Sequence, residues 1–581
     1  MTDAATAVER AAVDDVVGQT AGRHGQVAVG GWTTVVGQRT LLLPALHALQ
    51  DEIGWISRGG LNYVCERLSV PPADAYGVAT FYALLATAEQ PERIAHVCDD
   101  IACERLGSAD LMDALGTRED VHPSPCLGQC DRGPAVLVQV TGGHNVVIIP
   151  ATASEVQGVL DGGTVDEPTP PPVYPGSSPR LLVRIGSVDP ESLEAYRAAD
   201  GFRALQAAFE MGPEAVVEQI TTSRLRGRGG AAFPAGVKWE AVASSDEDTR
   251  YVICNADESE PGTFKDRVLL EGDPFAVVEA MTIAGFAVGA TRGYVYVREE
   301  YPLAQQRLHG ALEEARAADL LGDDIAGSGF DFDIDVRRGA GAYICGEETA
   351  LFNSIEGFRG EPRQKPPFPT EAGLFAKPTL VNNVETLTNV PWILRDGAAA
   401  FASVGTEGST GTKLFSISGD VSKPGVYEVA FGTTLRRLID MAGGVDGEMG
   451  AVLLGGAAGA FVTDDDLDVE LTFEGTRDAG LPLGSGSIVV FNTSADFERI
   501  LARIAHFFAD ESCGQCVPCR VGTVRQVETL DRLFAAGGNG ELETLADLDA
   551  VMRDASICGL GQFASTAVQS ALRLGLIGIG S

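Results

Sequence analysis

Positive charge is scarce in this chain. Its 581 residues carry 43 Lys and Arg against 81 Asp and Glu, a formal charge of −38. That balance argues against nucleic acid or an anionic membrane as partner, because both attract basic surfaces. An unbroken apolar run is also lacking. The most apolar stretch, Phe275 to Val297, is interrupted by Glu279 and Arg292. It reads as a buried helix and strand, not a membrane span. The start, MTDAATAVERAAVDD, has no apolar core and so does not read as a signal peptide. A cytoplasmic location is the expectation. No segment repeats.

Apolar residues make up 45% of the chain and mean hydropathy is near zero, which fits a folded protein with ample core. The length suggests about three to five domains. Residues 1–30 read as a mobile tail. Residues 31–92 form a helical unit: LLLPALHALQDEIGWIS has helical apolar spacing, and Pro71-Pro72 starts a further helix. Residues 93–162 switch to short strands and turns around a helix at Ala109–Leu115, a compact α/β domain with four cysteines. Residues 163–180 hold six prolines and read as an extended linker. A helix over Ser192–Phe209 follows. In residues 181–405, strands such as YVICNA, GYVYVR and FDIDVRR alternate with helices, as in a mainly parallel sheet. Residues 406–494 form a smaller β-rich unit. Residues 495–581 are helical and carry the last four cysteines.

There are eleven cysteines, and eight fall into two spaced groups. In a large chain without an export signal such groups more often bind metal than form disulfides. Cys513-x-x-Cys516-x-x-Cys519 wraps one loop around a centre, and Cys558 closes it, which is [4Fe–4S] spacing. Structural zinc competes, although it more often uses two separated C-x-x-C knuckles. Cys98-x4-Cys103 with Cys126-x3-Cys130 has a ferredoxin-type [2Fe–2S] step, and zinc competes there too. Cys65, Cys254 and Cys345 read as buried small hydrophobes.

The stretch RGRGGAAFPAGVKW, Arg226 to Trp239, packs four glycines with Lys238 and two arginines. Such a loop lets backbone approach a ligand and aim N–H groups at phosphate, and Phe233 offers a stacking face. Asn255-Ala-Asp257-Glu258-Ser-Glu260 follows an apolar strand, placing polar groups at a sheet's carboxyl end, where α/β ligands bind. A solvated acidic turn is the plainer alternative. Gly339 to Thr349, GAGAYICGEET, starts a helix at a glycine, a phosphate-receiving end. Clusters carry single electrons and a nicotinamide carries a hydride, so a chain holding both needs a two-way carrier, usually flavin.

Beyond about Arg180 the chain resembles the NADH-binding flavoprotein subunit of respiratory complex I. The resemblance rests on GRGGAAFPAGVKW, NADESEPGTFKDR, GAGAYICGEETAL, PRQKPPFP, KPTLVNNVETL and ESCGQCVPCRVG. Leu41 to about Gly162 resembles the thioredoxin-like [2Fe–2S] subunit of the same complex, through PPADAYGVATFYALL, Cys98-x4-Cys103 and CLGQC. The pair is fused here, as in the diaphorase modules of soluble formate dehydrogenases and NAD-reducing hydrogenases. The resemblance implies a multidomain α/β and α fold. It comprises a helical unit, a thioredoxin-like domain, a Rossmann-like FMN/NAD domain, a β-grasp-like domain and a C-terminal helical bundle with its cluster.

It also implies roles. Gly227, Arg228, Gly229 and Gly230, with Lys238 and Glu347, would line the cofactor cavity. Asn255, Asp257, Tyr343, Gly346, Asn382, Asn383 and Thr386 would hold FMN. Phe233 and Phe368 would sandwich the adenine of NAD. Glu348, assisted by Lys365, would bond an adenosine ribose and disfavour a 2′-phosphate. Glu258 and Glu260 would sit near the nicotinamide. Cys98, Cys103, Cys126 and Cys130 would hold [2Fe–2S]; Cys513, Cys516, Cys519 and Cys558 would hold [4Fe–4S]. The implied partners are NAD(H) and iron–sulfur and catalytic subunits of a larger complex, with no membrane contact of its own. A soluble formate dehydrogenase is the expected assembly, with an NAD-reducing hydrogenase or complex I as alternatives. A non-catalytic scaffold is the competing class, and it would show lost cysteines or glutamates. Two departures stand out. Ala232 replaces a family glycine. The gap of twenty-two residues between Cys103 and Cys126 is short, and a missing hairpin there would expose the first cluster.

Overall fold

The computed structural model describes residues 4–18, 38–176, 179–536 and 538–578. The expected mobile tail is corrected by a helix, Ala7–Val17, that buries Val13 and Val17. It starts at a reciprocal cap: Thr6 accepts from the Glu9 backbone while Glu9 returns to the Thr6 N–H. Residues 1–3 and 19–30 of that tail, and 31–37 of the expected helical unit, lie outside the described residues. Helices Leu42–Ile53, Arg58–Leu68 and Pro72–Ala79 complete the unit.

Strands β1 (Arg93–Cys98), β2 (Val121–Ser124), β3 (Val136–Val140) and β4 (Val146–Ile148) form a sheet ordered β2-β1-β3-β4. The Pro-rich linker is not free chain. It contributes β5 (Val173–Pro175) to the edge of a later sheet, and Tyr174 stacks on Tyr427 with centroids 4.4 Å apart. The helix expected over Ser192–Phe209 is two helices, Leu193–Ala198 and Arg203–Met211. The break is at Asp200-Gly201-Phe202, where Asp200 and Phe202 take positive φ.

The second domain centres on a wholly parallel sheet ordered β8-β7-β6-β9. Its strands are β6 (Tyr251–Ala256), β7 (Arg292–Val297), β8 (Asp333–Arg338) and β9 (Thr379–Asn383). The chain moves outward from β6 through β7 to β8 and then returns to β6's other side as β9. That reversal opens a crevice at the carboxyl ends of β6 and β9, the place where such sheets bind ligands. Helix Pro274–Val288 is apolar apart from Glu279 and Thr282 and buried along nearly its whole length behind the sheet. Strands β10 (Thr412–Gly419), β11 (Gly425–Ala430), β12 (Met449–Leu454), β13 (Ala460–Val462) and β14 (Ser487–Asn492) join β5 in the order β13-β12-β14-β10-β11-β5. Helices Phe497–Asp510, Val517–Ala536, Asn539–Ala555, Gly559–Phe563 and Thr566–Leu574 finish the chain. Among the described residues no helix is long and apolar enough to cross a membrane.

The units are bolted together by ion pairs. Arg338 joins Asp51 of the helical unit at 2.8 Å, Arg267 joins Asp131 at 2.8 Å, and Arg503 joins Asp99 at 3.1 Å. At the junction of the parallel-sheet and β-rich units, Glu385 gathers Lys265 and Lys413 at 3.0 and 2.8 Å, all fully buried. Burial drives the Lys413 ammonium down to about 7 against the pull of Glu385.

Candidate functional site

A cleft of about 870 Å³ opens at the β6/β9 crevice. Its first wall is the glycine loop. Arg226 pairs with Pro234 across the loop, and the Gly227 N–H donates to Phe233 O at 2.9 Å, so the chain doubles back tightly. Gly227, Gly229, Phe233 and Lys238 face the cleft. A Cβ at Gly229 would come within 3.1 Å of the Asn383 side chain, so only glycine leaves that space open. Arg228 is corrected. Its guanidinium turns away and lies buried, donating to Thr410 O at 2.7 Å, while its backbone N–H donates to Thr386 Oγ1 at 2.8 Å. Gly230 also lies off the cleft wall, against Gly484.

The floor comes from the strand ends. Asn255 Nδ2 donates to Gly346 O at 2.8 Å, Trp239 Nε1 to Asn382 Oδ1 at 3.0 Å, and Asn383 Nδ2 to Asp266 Oδ2 at 2.6 Å. Asn255, Gly346, Asn382, Asn383 and Thr386 all line the cleft. Beside them Asp257 Oδ2 is buried with no hydrogen-bond partner, and burial pushes this carboxyl well above its usual range. A Cβ at Gly346 would stand 3.3 Å from Asp257 O. An orphaned acceptor next to glycine walls fits a ligand rich in hydroxyls, such as the ribityl chain of FMN.

The outer wall is charged. Glu347 caps helix Glu348–Ile355, accepting from Thr349 N at 2.8 Å and Ala350 N at 2.9 Å. Glu348 stands between Lys238 Nζ at 3.1 Å and Lys365 Nζ at 2.8 Å. Burial works to raise the Glu348 carboxyl, but the two ammonium groups prevail and hold it below the ordinary range. Phe233 and Phe368 flank the mouth with half-exposed rings.

Three residues expected at the cofactors are engaged by other protein groups. Glu258 does not face the cleft. Its carboxylate accepts the N–H groups of Asp266 and Arg267, both at 2.9 Å, at the start of helix Lys265–Gly272. Glu260 is engaged by the Tyr343 hydroxyl and by Ala458 N at 2.7 Å, so neither Glu260 nor Tyr343 is among the cleft-lining residues. Burial raises both glutamates to about 7. Sequence reasoning also passed over Arg298, one residue beyond β7, which donates to Glu258 O and to Cys126 O. Its signal was a charge ending the apolar run YVYVR at a sheet's carboxyl edge.

Cys513, Cys516, Cys519 and Cys558 line one small cavity, and Cys558 also lines the cleft. The cluster position and the cofactor cleft therefore share a wall. Gly514 takes positive φ in the ligand loop. In the other group Cys98 faces Cys103 and Cys126, and the Cys126 and Cys130 sulfurs are 3.3 Å apart. All four are at most 3% exposed, so the short gap has not opened this site to water. Gly128 presses against Tyr301, so the parallel-sheet domain covers the ligand loop. Four thiols in each place fit iron–sulfur clusters.

A parallel-sheet cleft with an orphaned acceptor, sharing a wall with one four-thiol site in a chain that holds a second, defines a flavin and iron–sulfur electron-transfer protein. Comparison with known families makes this specific. Residues 220–392 match the Nuo51 FMN-binding domain, and 499–574 the NADH-ubiquinone oxidoreductase-F iron–sulfur binding region. Residues 32–161 match the thioredoxin-like [2Fe–2S] ferredoxin, and 414–451 the SLBB domain. The NADP-reducing hydrogenase subunit HndC of Solidesulfovibrio fructosivorans is 47% identical over 65% of this chain and 78% of its own. The NAD-reducing hydrogenase HoxS subunit alpha of Cupriavidus necator is 36% identical over 90% of this chain and 88% of its own. A crystal structure of an NAD⁺-reducing [NiFe]-hydrogenase in the air-oxidised state aligns with TM-score 0.79 and 32% identity, covering 92% of both chains. The chain belongs to the complex I family, as a fusion of its thioredoxin-like [2Fe–2S] subunit with its NADH-binding flavoprotein subunit. It is an NADH dehydrogenase-type oxidoreductase with FMN, [4Fe–4S] and [2Fe–2S] binding regions.

Proposed function

We propose that this chain interconverts paired and single electrons between NAD(H) and a partner iron–sulfur subunit, as the diaphorase of a soluble assembly. The shared wall at Cys558 carries the reading, because it sets the C-terminal cluster position directly against the cleft. Bound FMN supplies two-electron exchange with nicotinamide and one-electron exchange with clusters. The chain's own groups bind and orient. Gly227 and Gly229 admit the ring system, Asp257 and the Asn255–Asn382–Asn383 floor hold its side chain, and Phe233 and Phe368 stack the adenine. Glu348 takes the ribose hydroxyls and repels a 2′-phosphate, which favours NAD over NADP. No side chain in the cleft needs to move a proton.

For the outgoing route, Val517, Val521 and Val524 form an exposed stripe at one-turn spacing on the helix that begins beside Cys516. This face would dock the iron–sulfur partner, in a cytoplasmic enzyme. The acidic charge and the fusion of the two units support a soluble formate dehydrogenase. The near full-length likeness to a hydrogenase subunit favours a hydrogenase instead. Mass spectrometry of co-purifying chains decides between a molybdopterin and a nickel–iron subunit. Cys519→Ala tests the route itself: reduction of the partner should stop while NADH–ferricyanide activity survives. Normal partner reduction in that variant would refute it.

A further inference from the structure

Arg298 lies 3% exposed between the two domains, where the cluster-ligand loop meets the flavin motif. Its Nη1 donates to Glu258 O at 2.6 Å and its Nη2 to Cys126 O at 2.6 Å. The first carbonyl belongs to the Asn255–Glu260 motif. The second belongs to a ligand of the [2Fe–2S] site. One rigid guanidinium thus spans both redox loops, which a single ammonium cannot do with the same fork. The Tyr301 ring lies 5.0 Å from the guanidinium carbon, and its hydroxyl donates to Glu258 O at 3.3 Å. Glu300 Oε1 accepts from Arg298 Nη2 at 2.7 Å, yet Glu300 Oε2 and Arg298 Nε are buried without hydrogen-bond partners.

A cluster becomes more negative when it takes an electron. A buried cation at a ligand's backbone therefore favours the reduced form, and in a dry interface little screens it. A carboxylate on the same cation opposes it. The two charges lie two residues apart and pair directly at 2.7 Å, so their effects on the centre should be opposite in sign.

We propose that Arg298 is a positioning residue that sets the reduction potential of the [2Fe–2S] centre from between the two loops, with Glu300 holding that effect in check. This deepens the proposed function and rests on the reading that Cys98, Cys103, Cys126 and Cys130 hold a cluster. The experiment is an EPR-monitored redox titration of the full chain, with dithionite as electron donor. The couple read is one electron per centre, and no bond among these residues forms or breaks. Arg298→Met should lower the ratio of reduced to oxidised centre at the wild-type midpoint at least tenfold, which is 59 mV for a one-electron couple. Glu300→Gln should move the midpoint upward. Arg298→Lys should restore much of the potential while the EPR line shape stays altered, because the fork is lost. Unmoved midpoints in both Arg298→Met and Glu300→Gln, or shifts of the same sign, overturn the proposal. Where Arg298→Met does not fold, Glu300→Gln alone decides: a rise supports the proposal and anything else refutes it. A wild-type chain without a [2Fe–2S] signal overturns the cluster reading underneath, an outcome distinct from a normal signal whose potential ignores Arg298.

Discussion

Replacing Glu348 with Gln removes a carboxylate from the cleft wall and leaves Lys238 and Lys365 facing the ligand. In the wild type those ammonium groups lie 3.1 and 2.8 Å from the carboxylate and keep it ionised at neutral pH. A 2′-phosphate seated about 4 Å from that carboxylate would feel a repulsion of about 1 kcal/mol in water and about 4 kcal/mol near a protein surface. The side chains involved are 21–30% exposed, so solvent screens the pair and the lower half of that range applies. The substitution also frees Lys238 to attract the phosphate, while Lys365 keeps Glu347 at 2.9 Å. Together these predict a tenfold to hundredfold rise in the ratio of kcat/KM for NADPH to that for NADH, with ferricyanide as acceptor. The effect should shrink at high ionic strength. An unchanged ratio would refute the assignment of Glu348 to the ribose.

Ala232 holds a positive φ of 54°. A left-handed alanine costs about 1–2 kcal/mol, part of which glycine gives back through a freer unfolded chain. Ala232→Gly should therefore raise the urea midpoint by the equivalent of about 0.5–1 kcal/mol, and an unchanged or lower midpoint contradicts the strain. Burial raises the Glu299 carboxyl to about 7 from 4.5, despite Arg338 at 2.8 Å. The folded state then holds a proton that the unfolded state releases, so this contribution is full below pH 4.5 and is lost as pH rises through about 7. It amounts to at most about 3 kcal/mol. Glu299→Gln should flatten the fall of melting temperature between pH 5 and 7.5, and an identical slope would dismiss the linkage.

Much of the site was legible because its chemistry is local. The cysteine steps, the glycine loop and the strand ends carrying Asn255 and Asn383 sit on short stretches whose backbone needs are written in residue type. What escaped depended on contacts between distant segments. Glu258 turns from the cleft because helix Lys265–Gly272 offers it two free N–H groups, and no spacing announces that. Arg228 reads as a cavity-lining residue until Thr410, just before β10, and Thr412, at its start, supply the carbonyls that take it inward. The linker reads as free chain because six prolines hide a three-residue strand whose pairing partner is some 250 residues away. The helix Ala7–Val17 was readable, since Thr6 and Glu9 form a capping box ahead of a helical run.

The central claim is that one chain joins a flavin to two iron–sulfur centres. Metal and flavin analysis of the purified full chain, followed by anaerobic NADH addition under EPR, tests it most directly. The account predicts one FMN and six irons per chain, with signals from both centres appearing on NADH. Zinc at the C-terminal thiolates, or a colourless protein that NADH leaves silent, would contradict it.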